Sequence, residues 1–131
     1  MLFEHQSGDI LMALTGESLI TRRISAGREP RFLSLIQMLR DADVAFTNAE
    51  CVFQDYEDSP NPVAGGGGGT YMASPPYCAE ELRWAGVKIV ATANNHAADF
   101  GIDGILKNLR YLDAAGLQRV SPEARLRARI E

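Results

Sequence analysis

Two asparagine amides, an imidazole and a carboxylate stand close together in Asn94-Asn95-His96-Ala97-Ala98-Asp99-Phe100-Gly101. A histidine can hold or give up a proton near neutral pH. Carboxylates and amides supply the oxygen ligands that hard cations take. Two further groups of this kind precede the motif: Asp9 after Gly8, and Asn48 with Glu50. Oxygen donors with one imidazole suit Mg²⁺, Mn²⁺ or Zn²⁺. A carboxylate bridging two such metals suits attack of a metal-bound hydroxide on a phosphoryl centre. Taken singly, the same residues have plainer readings. Asp9 after Gly8 suits a turn, Asn48 and Glu50 suit a polar strand end, Asn94 and Asn95 tolerate left-handed backbone, and His96 suits a helix entrance.

For these groups to act together, the chain must bring three strand ends to one rim. The apolar run 87–93, bounded by Gly86, predicts a buried strand that delivers the motif. The run 10–14, introduced by Ser7-Gly8-Asp9, predicts a first strand, and 44–48 a second that delivers Asn48 and Glu50. Between them, 17–27 reads as a loop with a short helix. From Pro30, Phe32, Leu35, Ile36 and Leu39 fall at helical spacing. Pro75-Pro76 open a second helix that stops at Gly86, and Ile105, Leu106, Leu109 and Leu112 make the stripe of a third that stops at Gly116. Residues 117–120 read as the edge of one more strand. Alternating strands and helices predict an α/β fold with a mainly parallel sheet flanked by helices, and the sheet reads as incomplete. Parallel strands put their C-terminal ends, with the polar groups they carry, along one rim.

Residues 54–76 predict a mobile Gly/Pro-rich loop containing five consecutive glycines, 65–69. No Gly-Lys-Ser/Thr follows those glycines, so they are not a phosphate loop. The Arg-rich tail 121–131 opens on Ser121-Pro122-Glu123, a helix-start pattern.

With 131 residues and 46% hydrophobic content, the chain fits one globular domain. A net charge of −4 argues against nucleic acid as a partner. The first residues have neither the cationic start nor the apolar core of a signal peptide, and no run reaches the length of a membrane span. These features predict a cytoplasmic setting, with membrane association only through partners. Cys51 and Cys78 are expected as free thiols.

The residues resemble the CapA family of poly-γ-glutamate capsule-biosynthesis proteins, which share the calcineurin-like metallophosphoesterase fold. The resemblance is carried by Gly8-Asp9-Ile10, by 43–50 with Asn48 and Glu50, and by Gly68-Gly69-Thr70-Tyr71-Met72 before Pro75-Pro76. Asn94-Asn95-His96-x-x-Asp99-x-Gly101 with Gly104 and Leu112-Asp113-Ala114-Ala115-Gly116 complete it. It implies residues 1–120 as the N-terminal portion of a CapA-like domain, in part of a sandwich of two facing sheets, and 121–131 as a divergent tail. Asp9, Glu50 and Asn95 would be metal ligands, His96 the catalytic proton donor, and Asn48, Asn94 and Asp99 supporting groups. A divalent metal (Mn, Zn or Mg) would be the cofactor. Three departures stand out: Leu11 replaces the histidine two places after the first aspartate, Ala97 replaces a glutamate after the Asn-His pair, and the later family histidines have no counterpart here.

The implied function is synthesis of a poly-γ-glutamate capsule or other cell-envelope polymer, through a metal-dependent hydrolase-type site at the strand ends. The substrate would be an anionic polymer or a phosphorylated or peptide-like molecule, and other capsule-synthesis proteins would be partners. Two alternatives stay open. One is a non-catalytic assembly or polymer-binding subunit. The other is a truncated fragment without activity, which would expose an apolar sheet edge.

Overall fold

The computed structural model describes residues 8–61 and 70–120. Its order is β1 (Met12–Ser18), α1 (Pro30–Asp41), β2 (Val44–Ala49), β3 (Val52–Phe53), β4 (Ala73–Ser74), α2 (Tyr77–Ala85), β5 (Ile89–Ala91), α3 (Gly101–Ala114) and β6 (Gln118–Val120). β1, β2, β5 and β6 form a four-stranded, wholly parallel sheet in the order β1-β2-β5-β6. The fold is therefore α/β, a parallel sheet flanked by three helices.

The helices begin and end for local reasons. At the start of α1, Pro30 lacks the N–H that would go unsatisfied there, and the Glu29 carboxylate accepts from Phe32 N at 2.7 Å. α2 stops at Gly86, whose φ of +104° suits glycine; Gly86 N then donates to Arg83 O and Val87 N to Leu82 O. That stop turns the chain directly into β5.

All three helices cover the same face of the sheet. Ala49 of β2 and Val90 of β5 join Leu82 of α2 and Leu112 of α3 in one core cluster. Ala45 of β2 joins Ile36 and Leu39 of α1 in a second. Cross-strand partners share a face, so the register pairs Met12↔Val44, Leu14↔Phe46↔Ile89 and Ala91↔Val120 lie on the other side. There Met12 is 55% exposed, Leu14 69% and Val120 55%. β1 is an edge strand among the described residues, and the apolar exposure extends across the sheet to β6.

Two segments depart from expectation. The first strand runs Met12–Ser18 rather than 10–14, so Glu17 and Ser18 belong to the strand and not to the following loop. Gly16 lies at an irregularity of its register, between Leu14 and Glu17, as a strand glycine at a bulge does. The segment 54–76 is also partly structured. Ala73 and Ser74 pair in parallel with Val52 and Phe53, and Lys107 of α3 binds Asp55 at 3.3 Å and Asp58 at 3.1 Å. The five glycines and the tail 121–131 lie outside the described residues. Among the described residues, no helix is long and apolar enough to cross a membrane.

The loop between β1 and α1 is anchored by Glu81 of α2. Its carboxylate accepts from Ser25 N at 2.6 Å, from Ser25 Oγ at 2.9 Å and from Arg23 Nη1 at 3.3 Å. Burial alone would raise the Glu81 pKa, but these donors outweigh it and hold the carboxyl below its usual range. A depressed folded-state pKa gives stability that is present at neutral pH and lost as pH falls through that value. Glu81→Gln should therefore be less stable than wild type at pH 7, with the gap closing below about pH 4 in urea titrations.

Leu112 is fully buried, whereas Leu14 lies on the open face. Leu112→Ala is expected to cost about 2–5 kcal/mol in urea unfolding, and Leu14→Ala to stay within about 0.5 kcal/mol.

Candidate functional site

The turn after β5 is held to the end of β2 by one amide. Asn94 Nδ2 donates to Asn48 Oδ1 at 3.2 Å and to Ala49 O at 2.9 Å, while Asn94 Oδ1 accepts from His96 N at 3.0 Å. Asn48 in turn donates through Nδ2 to Glu50 Oε2. Successive turns follow, with Ala97 N on Asn94 O at 3.3 Å, Asp99 N on His96 O and Gly101 N on Ala98 O, both at 3.0 Å. Gly101, with φ +66°, then releases the chain into α3. A Cβ on Gly104 would lie 2.5 Å from Phe100 Cβ, so the first turn of α3 packs on the motif only with glycine there.

These turns bury His96 between two carboxylates. His96 Nδ1 lies 2.8 Å from Asp99 Oδ2, and His96 Nε2 lies 3.9 Å from Glu50 Oε1. Asp99 is fully buried, and its Oδ2 also accepts from Met72 N at 2.6 Å. Its Oδ1 has no hydrogen-bond partner among the described residues. This contact fixes the orientation of the ring and leaves Nε2 as the ring nitrogen that Asp99 does not hold. The separation of 3.9 Å from Glu50 is beyond hydrogen-bond range, so Nε2 is not engaged there.

Of the residues expected at the site, Asn48, Glu50, Asn94, His96 and Asp99 thus form one connected group. Asn95 is exposed and hydrogen bonds to no described residue. Asp9 does not reach this rim. Leu11 N donates to Asp43 Oδ2 at 2.9 Å and Met12 is the register partner of Val44, which puts Asp9 at the N-terminal edge of the sheet. The reason is the shift of β1: its C-terminal end carries Glu17, the register partner of Asn48. Glu17 takes the rim position expected of Asp9. The signal was a second Gly-acid pair, Gly16-Glu17, at the far end of the same apolar run.

Among the described residues, the side chains do not assemble the implied metal centre. Among the described residues, no three or more His, Cys, Asp or Glu side chains are grouped so as to hold an ion. Glu50 and His96 offer two donor atoms, and of the other expected ligands Asp9 is at the opposite edge and Asn95 makes no contact with them. This donor set does not fit the ion that the resemblance implies. The thiols are not reactive substitutes. Both cysteines are free and buried, and burial pushes Cys78 up to about 11 and raises Cys51 as well. Glu50→Ala is accordingly expected to leave the calorimetric response of the chain to Mn²⁺ or Zn²⁺ unchanged.

The family model for the bacterial capsule synthesis protein PGA_cap matches residues 6–124. Two relatives from Sinorhizobium fredii (strain NBRC 101917 / NGR234), the uncharacterized proteins y4sH and y4uA, are each 32% identical to the chain over 106 residues. Each alignment covers 81% of this chain but 23% of the relative, so the chain spans about a quarter of the length of the curated relatives it matches.

Proposed function

The chain belongs to the PGA_cap family of bacterial capsule synthesis proteins, and from that premise we propose that it carries the proton-transfer part of a hydrolase-type site for a capsule or cell-envelope polymer. The observation that supports this reading is the buried Asp99–His96 pair, with Nε2 facing Glu50 at the C-terminal rim of a parallel sheet.

In this reading Asp99 orients the imidazole. His96 delivers a proton from Nε2 to the leaving oxygen or nitrogen of the bond being cut. Glu50, fixed by Asn48, stands on the opposite side of that proton path. Glu17 adds a second carboxylate to the same rim. The substrate class is an anionic poly-γ-glutamate chain or a phosphorylated or peptide-like precursor, and the partners are other proteins of capsule synthesis. A non-catalytic assembly role is the second reading, and it is favoured by the open apolar face of the sheet.

The test is turnover of an aryl phosphate and of γ-glutamyl oligomers by the purified chain. His96→Asn should lower kcat by about 10²- to 10⁴-fold with KM little changed. Asp99→Asn should also lower kcat, and His96→Asn should keep the circular dichroism of wild type. Equal rates in wild type and His96→Asn would sink the reading. A folded wild-type chain that turns over neither substrate would leave only the assembly role.

A further inference from the structure

The segment that leaves β1 is basic, in a chain whose net charge is −4. Residues 19–32 carry Arg22, Arg23, Arg28 and Arg31 against the single acid Glu29. The segment starts at the C-terminal rim, where Glu17 is the register partner of Asn48, and ends in the first turn of α1. Because α1 returns the chain to the start of β2, its N-terminus lies at that same end of the sheet. Between loop and helix is a cavity of about 430 Å³, walled by Arg22, Arg23, Ile24, Gly27, Glu29 and Phe32. That volume is within the range of small-ligand sites.

The walls are held in place by the fold. Gly27 N closes a turn on Ile24 O at 2.9 Å, and a Cβ on Gly27 would lie 2.8 Å from Phe32 Cε1, so the loop rests directly on the ring. Ile24 and Phe32 pack in turn on the cluster of Ile36, Leu39, Ala45 and Ala85. Arg23 is fixed from two sides. Its Nη1 binds the buried Glu81 carboxylate at 3.3 Å, and its guanidinium carbon lies 4.5 Å from the centre of the Tyr77 ring. The Arg23 side chain nevertheless stays 61% exposed. A guanidinium has five N–H donors, and Glu81 takes one of them.

Arg22 is exposed and makes no hydrogen bond or ion pair with a described residue. The one acid in the wall, Glu29, is committed to the helix, where Oε2 accepts from Phe32 N at 2.7 Å. A positioned arginine and an unpaired one therefore share a cavity whose other walls are largely apolar.

We infer that this cavity binds an oxyanion on a short aliphatic stem, a carboxylate or a phosphate group, and so anchors a substrate chain beside the histidine rim. The guanidinium fork matches two oxygens of either group, and Ile24 and Phe32 take the stem. The anchoring role rests on the hydrolase-type reading of His96; the binding itself does not.

The experiment is calorimetric titration of the full chain carrying His96→Asn, so that binding is read apart from turnover. The probes are γ-glutamyl oligomers and, separately, inorganic phosphate. Saturable binding that weakens as ionic strength rises is expected. Arg22→Gln should weaken it about tenfold. Arg31→Gln removes the same charge from an exposed position outside the cavity walls, and should change affinity by less than about twofold. Tighter binding of the oligomer identifies a carboxylate chain as the occupant, and tighter binding of phosphate a phosphorylated group. No saturable binding of either probe by the folded chain would overturn the proposal. So would a loss in Arg22→Gln no greater than that in Arg31→Gln. Turnover that survives His96→Asn, alongside binding that Arg22→Gln weakens, would leave the cavity's ligand in place and remove only the catalytic reading.

Discussion

The rim depends on one buried carboxylate. Asp99 is fully buried, and it is bound from three sides. Its Oδ2 takes Met72 N and faces His96 Nδ1, and its backbone oxygen accepts from Asn61 N at 2.7 Å. Asn61 and Met72 stand on either side of the glycine-rich stretch, so a single residue ties both arms of the long 54–76 connection to the histidine turn. A buried carboxylate is costly unless donors surround it, and each donor here is a part of the rim. Removing the carboxylate would free the imidazole, the Met72 amide and, through Met72, the pairing of β3 with β4, since Val52 N donates to Met72 O.

Asn94 performs the complementary task from the sheet side. Its amide satisfies groups at the end of β2 and the His96 N–H at once. A residue with one acceptor and two donors suits this role; a carboxylate would lack the donors and a hydroxyl the reach. The motif is therefore a scaffold as much as a set of reacting groups. Asn94 and Asp99 position, His96 faces the neighbouring carboxylate Glu50, and Asn95 takes no part in the network.

This division explains how much is legible in the sequence. The helices carry their own punctuation, in Pro30, Pro75-Pro76, Gly86 and Gly116, and the structure ends them there or within a residue or two. β2 and β5 are set by β-branched and apolar runs between those stops, whereas β6, Gln118-Arg119-Val120, carries one such residue. β1 is different. Leu and Met suit strands and helices equally, so its limits rest on turn residues, and Gly8-Asp9 and Gly16-Glu17 offer the same pair at opposite ends. The sequence points to the first pair as the bearer of the ligand, whereas the bulge lets Gly16 stay inside the strand and carries Glu17 to the rim. β3 and β4 are not legible at all. Two residues each, with Ala73 and Ser74 poor strand formers, they exist because Val52, Gln54 and Asp99 take up the backbone groups of a segment distant in sequence.

The two faces of the sheet make the same point from the side of packing. On β2, Ala45, Thr47 and Ala49 are buried, while Val44, Phe46 and Asn48 between them are not. That alternation is usual for an antiparallel sheet with one wet face, where the outward positions are polar. In this chain most of the outward positions are apolar: valine, phenylalanine, isoleucine, leucine and methionine. Side chains of that kind gain stability only when removed from water, at roughly 25 cal/mol per Å² of apolar surface, and a sheet meant to face solvent has no use for them. Composition by itself conceals this, because apolar residues counted over the whole chain do not say which face they occupy. Only the register separates the residues that hold this fold together from those on the open face.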